Sequence, residues 1–576
     1  MTRKLSSLAE PRLLLGDEAV ALGVLDAGAA AAYAYPGTPS TEIFETLEQR
    51  AHRHGVTAHW CANEKTAYEQ ALGASMMNAR VLVSMKHVGL NVAMDPFVNS
   101  ALVGIRGGLV VVVADDPGMH SSQNEQDSRV LADFARVPCL EPADQQEAYD
   151  MTREAFAVSE RFGVPVMVRL VTRVCHGRSL VRPGPLTGGG PVGKPDSPRD
   201  WVLLPANARR LWRGLLDRQE ALRDWSEGLA AGVRVLGPQG ARTAAGGEGG
   251  GEFRLGVVTT GIARGYLAEN VPDLDAPLPH LHVGAYPLPA GALRALAARV
   301  DRLLVLEEGY PFLERQLRGV LPGTVPVAGK EDGTLPLDGE LTPDSVRAAL
   351  GLAPRTVGAI PEGLPARPPQ LCPGCPHRDA YEAIGLALQG EETWTVTGDI
   401  GCYTLGALPP FGTLESCVCM GASVGMAKGA SDVGVRPALA VIGDSTFLHS
   451  GVTPLMDAVA HRTPITVVVL DNETVGMTGQ QPTVLPDSRL VPIVLGVGVD
   501  PNHVHTIEAH PRNVEAMAAL LREEMAYPGV SVIVGVRECV VSARKRRSGE
   551  RRAAPAPSAG ESAGRTTDPV ASGGEP

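Results

Sequence analysis

Two apolar runs in the C-terminal half of the sequence each end in a cluster of polar residues. Residues 438–442 lead into Gly443-Asp444-Ser445, and residues 465–470 into Asp471-Asn472-Glu473-Thr474, with an amphipathic segment between them. This pattern predicts a strand–helix–strand unit. Open parallel sheets bind their ligands at the C-terminal ends of the strands. An Asp from one strand end and an Asn oxygen from the next, helped by a backbone carbonyl, are hard oxygen donors. They suit Mg²⁺, which keeps diphosphate oxygens in its shell. Asp444, Asn472 and Thr474 are the candidate Mg²⁺ ligands, and Gly443 lets the backbone approach a phosphate closely.

The spacing of GDS and Asn472, with 26 residues between them, resembles the diphosphate-binding motif of thiamine diphosphate (ThDP) enzymes. Ser445 stands where most of them have a third glycine. ThDP chemistry also needs a carboxylate beside N1′ of the aminopyrimidine, which drives the tautomer that deprotonates the thiazolium. That carboxylate comes from a separate pyrimidine-binding domain. Glu64 is the candidate: it opens an Ala-rich helix predicted over 64–77, where the helix dipole favours an ionised carboxylate.

The elements that must position these groups can be read along the chain. The 576 residues, 44% hydrophobic, predict roughly three or four domains. A strand near Leu13, a helix from Asp17, a strand ending at Tyr35 and a further helix open the first α/β unit. Thr38 and Ser40 are placed to cap that last helix. Buried strands are predicted over 81–85, 108–114 and 164–173, the last closing the unit. Residues 177–252 are rich in Gly, Pro and Arg with a helical stretch over 206–232, and 244–253 reads as a flexible linker. A third α/β unit follows, in which Glu307 and Glu308 end a strand and are read as structural or interface residues. The formal charge of -12 argues against a nucleic-acid partner. No apolar stretch approaches the roughly 18 residues of a membrane span, and the N-terminal residues lack a signal-peptide core. A cytoplasmic protein is expected. Nine cysteines read as thiols or metal ligands rather than as a disulfide framework.

Long motifs add to this reading. YPGTPSTEI, NEKTAYEQALGAS, MKHVGLNVAMDP and HSSQNEQDSR resemble the 2-oxoacid:ferredoxin oxidoreductases, most closely the large (alpha) subunits of the indolepyruvate branch, over residues 13–544. The resemblance implies a multi-domain α/β fold with two doubly wound parallel-sheet domains. These are a pyrimidine-binding domain (1–188) and a diphosphate-binding domain (356–543), separated by a linker (189–252) and a transketolase C-terminal-like domain (253–355). A disordered tail (544–576) follows. It implies Glu64 as the N1′ carboxylate and Thr38 near the substrate carboxylate. Lys86, His87 and Asn91, in a loop after the strand over 81–85, and His120, in a loop after the strand over 108–114, become substrate-contact candidates. By residue type, His87 and His120 fit ordinary loop histidines equally well. Asp399, Met420 and Gly421 are expected on the cofactor side, with Met420 under the thiazolium.

Cys372 and Cys375 form a CxxC, open by itself to zinc, dithiol or iron–sulfur readings. The resemblance implies that Cys372, Cys375, Cys402 and Cys539 hold a [4Fe–4S] cluster, the right number of thiolates for a cubane. Cys417 and Cys419 compete as ligands and are read as buried small hydrophobes. Large subunits of this branch usually end in a ferredoxin-like module with two cysteine-rich runs. This sequence has no cysteine after Cys539, so electrons are expected to leave the proximal cluster for a separate ferredoxin or other carrier. The basic run from Arg544 is a solvated flank or a contact for an acidic partner.

The resemblance thus implies oxidative decarboxylation of an arylpyruvate to an aryl-acetyl-CoA, with ThDP, Mg²⁺, a candidate [4Fe–4S] cluster and coenzyme A as co-substrate. A small (beta) subunit is implied, in a dimer of heterodimers, because ThDP sites usually form between domains of two chains. A non-oxidative ThDP decarboxylase or carboligase is the alternative, and a ThDP-binding scaffold without turnover is a third class, which Glu64 opposes. The aryl preference comes wholly from the resemblance: aromatic residues are 4% of the chain.

Overall fold

A computed structural model describes residues 10–195, 197–230, 232–237, 253–321, 323, 325–356, 358, 361, 363–364, 368–485 and 489–547. The linker expected over 244–253 lies outside them except for Phe253, which begins a strand. So does the tail beyond Arg547.

The first unit is a seven-stranded sheet in the order Ala285–Tyr286, Cys139–Leu140, Val166–Val171, Leu109–Asp115, Val81–Lys86, Ala31–Ala34, Thr57–Trp60. All neighbours are parallel except the first pair. The central strands Leu109–Asp115 and Val166–Val171 are buried along their whole length, as parallel strands covered on both faces must be. The latter lies inside the sheet, one strand from the edge pair. Helix Gln145–Phe162 packs on it and against helix Gly16–Asp26. The former starts where the Asp144 carboxylate accepts the Glu147 N–H at 2.9 Å and stops at left-handed Gly163, a side-chain cap followed by a glycine stop.

The last unit is a six-stranded, all-parallel sheet in the order Ser416–Cys417, Thr395–Gly398, Ala438–Gly443, Ile465–Asp471, Val530–Val536, Val504–Glu508. Alternation of side chains divides its core. Leu439, Val441, Val468, Leu470 and Ile533 face one apolar layer, and Ala440, Ile442, Val467, Val469 and Val532 the other. The fold class implied by the sequence, α/β with two doubly wound parallel sheets and an intervening unit, is the observed one.

The third unit has five strands in the order Val327–Ala328, Val300–Leu306, Phe253–Thr260, Leu278–Val283, Arg234–Leu236. Its edge strand and the 25-residue helix Pro205–Leu229 come from the stretch read as a linker. Leu215 and Leu222 bury that helix in the core of the first sheet, and Trp225 meets Phe162 edge-on. The third unit also lends the strand Ala285–Tyr286 to the first sheet.

A charged seam joins these two units. The Arg169 guanidinium donates to Asp115 and Glu141, both at 2.7 Å, and Arg129 lies 3.1 Å from Glu307. Glu307 accepts the N–H groups of Leu313 and Glu314, and Glu308 that of Leu341, consistent with structural roles. Burial pushes the Glu307 carboxyl up to about 7.

Three local expectations are corrected. Ser40 is helical in its own backbone, so its hydroxyl donates to the Gly37 carbonyl and caps nothing. The residues after Lys86 form a helix, His87–Val92, rather than a loop. The basic run is helical in its described part, as helix Val540–Arg547 carries Arg544, Lys545, Arg546 and Arg547 in its last turn. Among the described residues no helix is long and apolar enough to cross a membrane.

Candidate functional site

The first and last sheets face each other across a cleft lined from one side by Tyr35, Thr38, Glu64 and Lys86 and from the other by Met420, Gly443, Asp444, Ser445, Asn472 and Thr474. Both walls belong to one chain. The Tyr35 and Ser445 hydroxyls are hydrogen-bonded at 3.0 Å, Asn63 Nδ2 donates to the His449 carbonyl at 3.0 Å, and Gln481 donates to Glu45 at 2.9 Å. The described residues of this single chain thus supply both walls.

Glu64 opens helix Glu64–Met76, whose start is fixed by Asn63 accepting the Thr66 N–H at 2.8 Å. Its carboxylate is 5% exposed and 2.7 Å from His449 Nε2. The opposite face of Glu64 lies on Gly89, where an added Cβ would sit 2.5 Å from Oε1.

Asp444 follows strand Ala438–Gly443 and is 4% exposed, with Oδ2 bonded to nothing. Burial, with the Asp471 charge adding to it, pushes its carboxyl up to about 8. Asn472 Oδ1 accepts the Thr474 N–H at 3.1 Å, which leaves its second lone pair for another donor or a cation. A Cβ on Gly443 would stand 2.5 Å from the Tyr403 ring. An orphaned buried carboxylate oxygen, an amide oxygen beside it and a glycine floor are what a Mg²⁺–diphosphate pair requires.

Lys86 donates to the Ser121 carbonyl at 2.7 Å, and burial lowers its ammonium to about 8 against the opposing pull of Asp116. Thr38 lines the same wall. Other candidates lie elsewhere. Asp399 accepts the Gly421 and Ser423 N–H groups at 2.7 and 3.0 Å, so it holds the turn before helix Ala422–Asp432 and does not line the cleft. His87 is buried against the Asn124 carbonyl, Asn91 is exposed, and His120 pairs with Glu340 at 3.2 Å.

The thiols of Cys372, Cys375, Cys402 and Cys539 come together. Burial pushes Cys402 up to about 12 and Cys375 to about 11, and the neighbouring cysteines add to both. Cys402 also lines the cleft, and the Cys539 N–H donates to the Asn472 carbonyl at 3.3 Å. A single tetrahedral ion at ~2.3 Å from each sulfur would need sulfurs about 3.8 Å apart. Among the described residues, Asp17, Glu42 and His176 form the sole group of three or more such ligand atoms within 4.8 Å of one another. The four thiols are spread more widely than one ion needs. Cys417 is half-buried against the Asp399 carbonyl and Cys419 is exposed, so the reading of both as buried hydrophobes is corrected.

Sequence reasoning missed two cleft residues, Tyr35 and His377, and His449, which touches Glu64 without lining the cleft. Tyr35 precedes the Pro-Gly turn, His449 lies in the helix after GDS, and His377 follows CPGCP directly. His377 is 2% exposed, 3.4 Å from the Asn472 amide, and burial lowers it to about 4. The positions of Tyr35 and His377 beside the motifs were their only signal.

Residues 22–186 match the family model "Pyruvate flavodoxin/ferredoxin oxidoreductase, thiamine diP-bdg", and residues 399–534 match "Thiamine pyrophosphate enzyme, C-terminal TPP binding domain". The chain is 36% identical to indolepyruvate oxidoreductase subunit IorA of Archaeoglobus fulgidus, over 94% of this chain and 89% of that protein. It is 38% identical to the IorA subunit of Methanothermobacter thermautotrophicus, over 92% and 87%. Among solved structures, a 2-oxoglutarate:ferredoxin oxidoreductase from Magnetococcus marinus aligns over 59% of this chain and 65% of its own, at 17% identity and a TM-score of 0.47.

Proposed function

The chain belongs to the family of indolepyruvate oxidoreductase IorA subunits, and from that premise we propose that it is the catalytic large subunit of a ThDP-dependent 2-oxoacid oxidoreductase. The substrate is an arylpyruvate of the indolepyruvate type. The bond between its carboxylate and carbonyl carbons breaks and CO₂ leaves. The acyl carbon bonds to the sulfur of coenzyme A, and two electrons and a proton are released. The electrons pass singly to a ferredoxin-type carrier.

One observation carries this reading: Glu64 on one wall and the unpartnered oxygen of Asp444 on the other face the same cleft. Asp444, Asn472 and Thr474 would hold Mg²⁺ and through it the diphosphate of ThDP, with the backbone at Gly443 beneath it. When bound, ThDP supplies a nucleophilic carbon and an electron sink for the decarboxylation. Glu64 holds or returns a proton at the pyrimidine N1′. Lys86 takes the substrate carboxylate as an ammonium, and Thr38 lies beside it. Met420 lines the floor on the diphosphate side.

Cys372, Cys375, Cys402 and Cys539 would ligate one [4Fe–4S] cluster. Cys402, which lines the cleft, and the exposed Cys372 would be the ligands nearest the substrate and the solvent. The helix Val540–Arg547 begins next to Cys539, and its last turn, with Arg544, Lys545, Arg546 and Arg547, offers positive charge to an acidic carrier. A small subunit completes the enzyme, as heterodimers that pair in turn, in the cytoplasm.

The test is iron and acid-labile sulfide per chain in anaerobically purified protein co-expressed with its small subunit. About four of each, with a broad absorption band bleached by dithionite, is the expected result. Iron-free protein that binds ThDP and releases an aldehyde from the 2-oxoacid would overturn the oxidative reading in favour of simple decarboxylation.

A further inference from the structure

The helix that follows Asp444 is interrupted by a π-helical turn, Phe447–Gly451. Such turns shift the residues they carry out of helical register and are frequent at functional sites. This one carries His449, 4% exposed, to the Glu64 carboxylate on the opposite wall. His449 Nε2 lies 2.7 Å from Glu64 Oε2, and Nδ1 lies 2.6 Å from the Ser450 hydroxyl. The Tyr35 ring packs edge-on to the imidazole at 4.8 Å between centroids, and the His449 carbonyl accepts the Asn63 side chain.

Ser450 is itself backed from behind. Gly421 has φ +89° and sits so close that a Cβ there would lie 2.5 Å from Ser450 Cβ. The Gly421 N–H is held by the Asp399 carboxylate at 2.7 Å. Asp399, Gly421, Ser450, His449 and Glu64 thus form a continuous line of contacts running from the floor of the last sheet to the tip of a helix on the first.

We propose that His449 is a positioning residue for Glu64, with Ser450 fixing its tautomer. The Ser450 hydroxyl donates to Nδ1, the ring proton therefore sits on Nε2, and Nε2–H donates to Oε2. One carboxylate oxygen is tied and the other is left to face the pyrimidine, which fixes both where Glu64 takes a proton and which lone pair it uses. A ring nitrogen oriented by a hydrogen bond to its other nitrogen is the arrangement by which histidines are set for a partner. The tie joins the two sheet units beside the cleft, so Glu64 is aligned only when they are together. This inference rests on reading the cleft as a ThDP site.

The test uses the holoenzyme with its small subunit and two readouts that do not require turnover: the ThDP dissociation constant in saturating Mg²⁺, and the rate at which the C2 proton of bound ThDP exchanges with deuterium, by acid quench and NMR. His449→Leu removes the donor, and His449→Gln keeps an amide N–H that can reach Oε2. Ser450→Ala removes the group that fixes the tautomer. His449→Leu is expected to slow exchange about 10- to 100-fold with the ThDP dissociation constant within about threefold of wild type. His449→Gln should recover most of the exchange rate, and Ser450→Ala should fall between them. Exchange in His449→Leu at the wild-type rate would overturn the proposal. So would His449→Gln as slow as His449→Leu, or loss of ThDP affinity in step with exchange, which would mark His449 as a strut between the walls. Glu64→Gln separates the two levels: wild-type exchange in that variant would overturn the cofactor reading itself, whereas slow exchange there with fast exchange in His449→Leu would overturn only the role of His449.

Discussion

Gly89→Ala places one methyl group where the structure has no room for it. The new Cβ would stand 2.5 Å from Glu64 Oε1, 2.6 Å from Cγ and 2.8 Å from Cδ, against an ordinary contact of 3.4 Å or more. The carboxylate must therefore retreat by about 0.9 Å, the difference between 3.4 and 2.5 Å. Gly89 lies in the short helix His87–Val92 without a left-handed backbone, so alanine itself is compatible with the chain and contributes roughly 0.5–1 kcal/mol of helix preference. Crowding in a packed interior costs about 1–3 kcal/mol, and the two effects largely offset. The fold should survive with a Tm within a few degrees of wild type. Function should not, because a displacement of about 1 Å of a reacting group costs on the order of 100-fold in rate, or about 2.7 kcal/mol of barrier. The assay is anaerobic CO₂ release from the 2-oxoacid, alongside thermal unfolding. A variant that unfolds like wild type and turns over at more than a third of its rate would refute the placement of Glu64 against Gly89 and its role in the chemistry.

Other consequences are testable with single variants. Lys86 is protonated below about 8 and loses its charge as pH rises through that value. If it binds the substrate carboxylate, KM for the 2-oxoacid stays flat below that pH and climbs about tenfold per unit above it. Lys86→Met should raise KM about 10- to 100-fold at pH 7 and abolish the pH dependence; a pH-independent KM in wild type would remove Lys86 from the site. Arg169→Met leaves Asp115 buried without its cation and Glu141 with only Arg129, at 3.4 Å, and should cost about 3–5 kcal/mol of stability, read from denaturant unfolding. A loss under about 1 kcal/mol would show the seam to be dispensable. Arg544→Glu combined with Arg547→Glu should raise KM for an acidic ferredoxin and flatten its dependence on ionic strength, with KM for the 2-oxoacid unchanged; an unaltered salt dependence would place the carrier elsewhere.

The two sheets and the ends of their strands were legible because parallel strands write themselves as runs of Val, Ile and Leu closed by polar residues. The strands Ala438–Gly443 and Ile465–Asp471 fall within a residue of the apolar runs read from sequence. Asp444 and Asn472 were legible for a related reason, because oxygen ligands at strand ends are a local pattern; Glu64 was singled out by the carboxylate that ThDP chemistry needs and by the family resemblance. What was not legible depends on long-range packing. His449 is 385 positions from the carboxylate it touches, and nothing within its own helix marks it. His120 and Asn91 looked like site residues because they sit in motif-rich stretches, yet the backbone turns one toward Glu340 and the other to solvent. The helix read over 206–232 is observed at Pro205–Leu229, but its burial through Leu215, Leu222 and Trp225 was not legible in a segment whose Gly- and Pro-rich composition reads as a connector. Helical periodicity in that stretch carried more information than its composition.

The central claim, that this chain couples loss of CO₂ to electron transfer, is tested most directly by stoichiometry. Enzyme with its small subunit, ThDP, Mg²⁺, coenzyme A and an arylpyruvate is incubated without oxygen with a one-electron acceptor dye, and CO₂, reduced dye and aldehyde are counted together. Two equivalents of reduced dye for each CO₂, with no aldehyde, is the predicted result. One aldehyde for each CO₂ with the dye left oxidised would contradict the account.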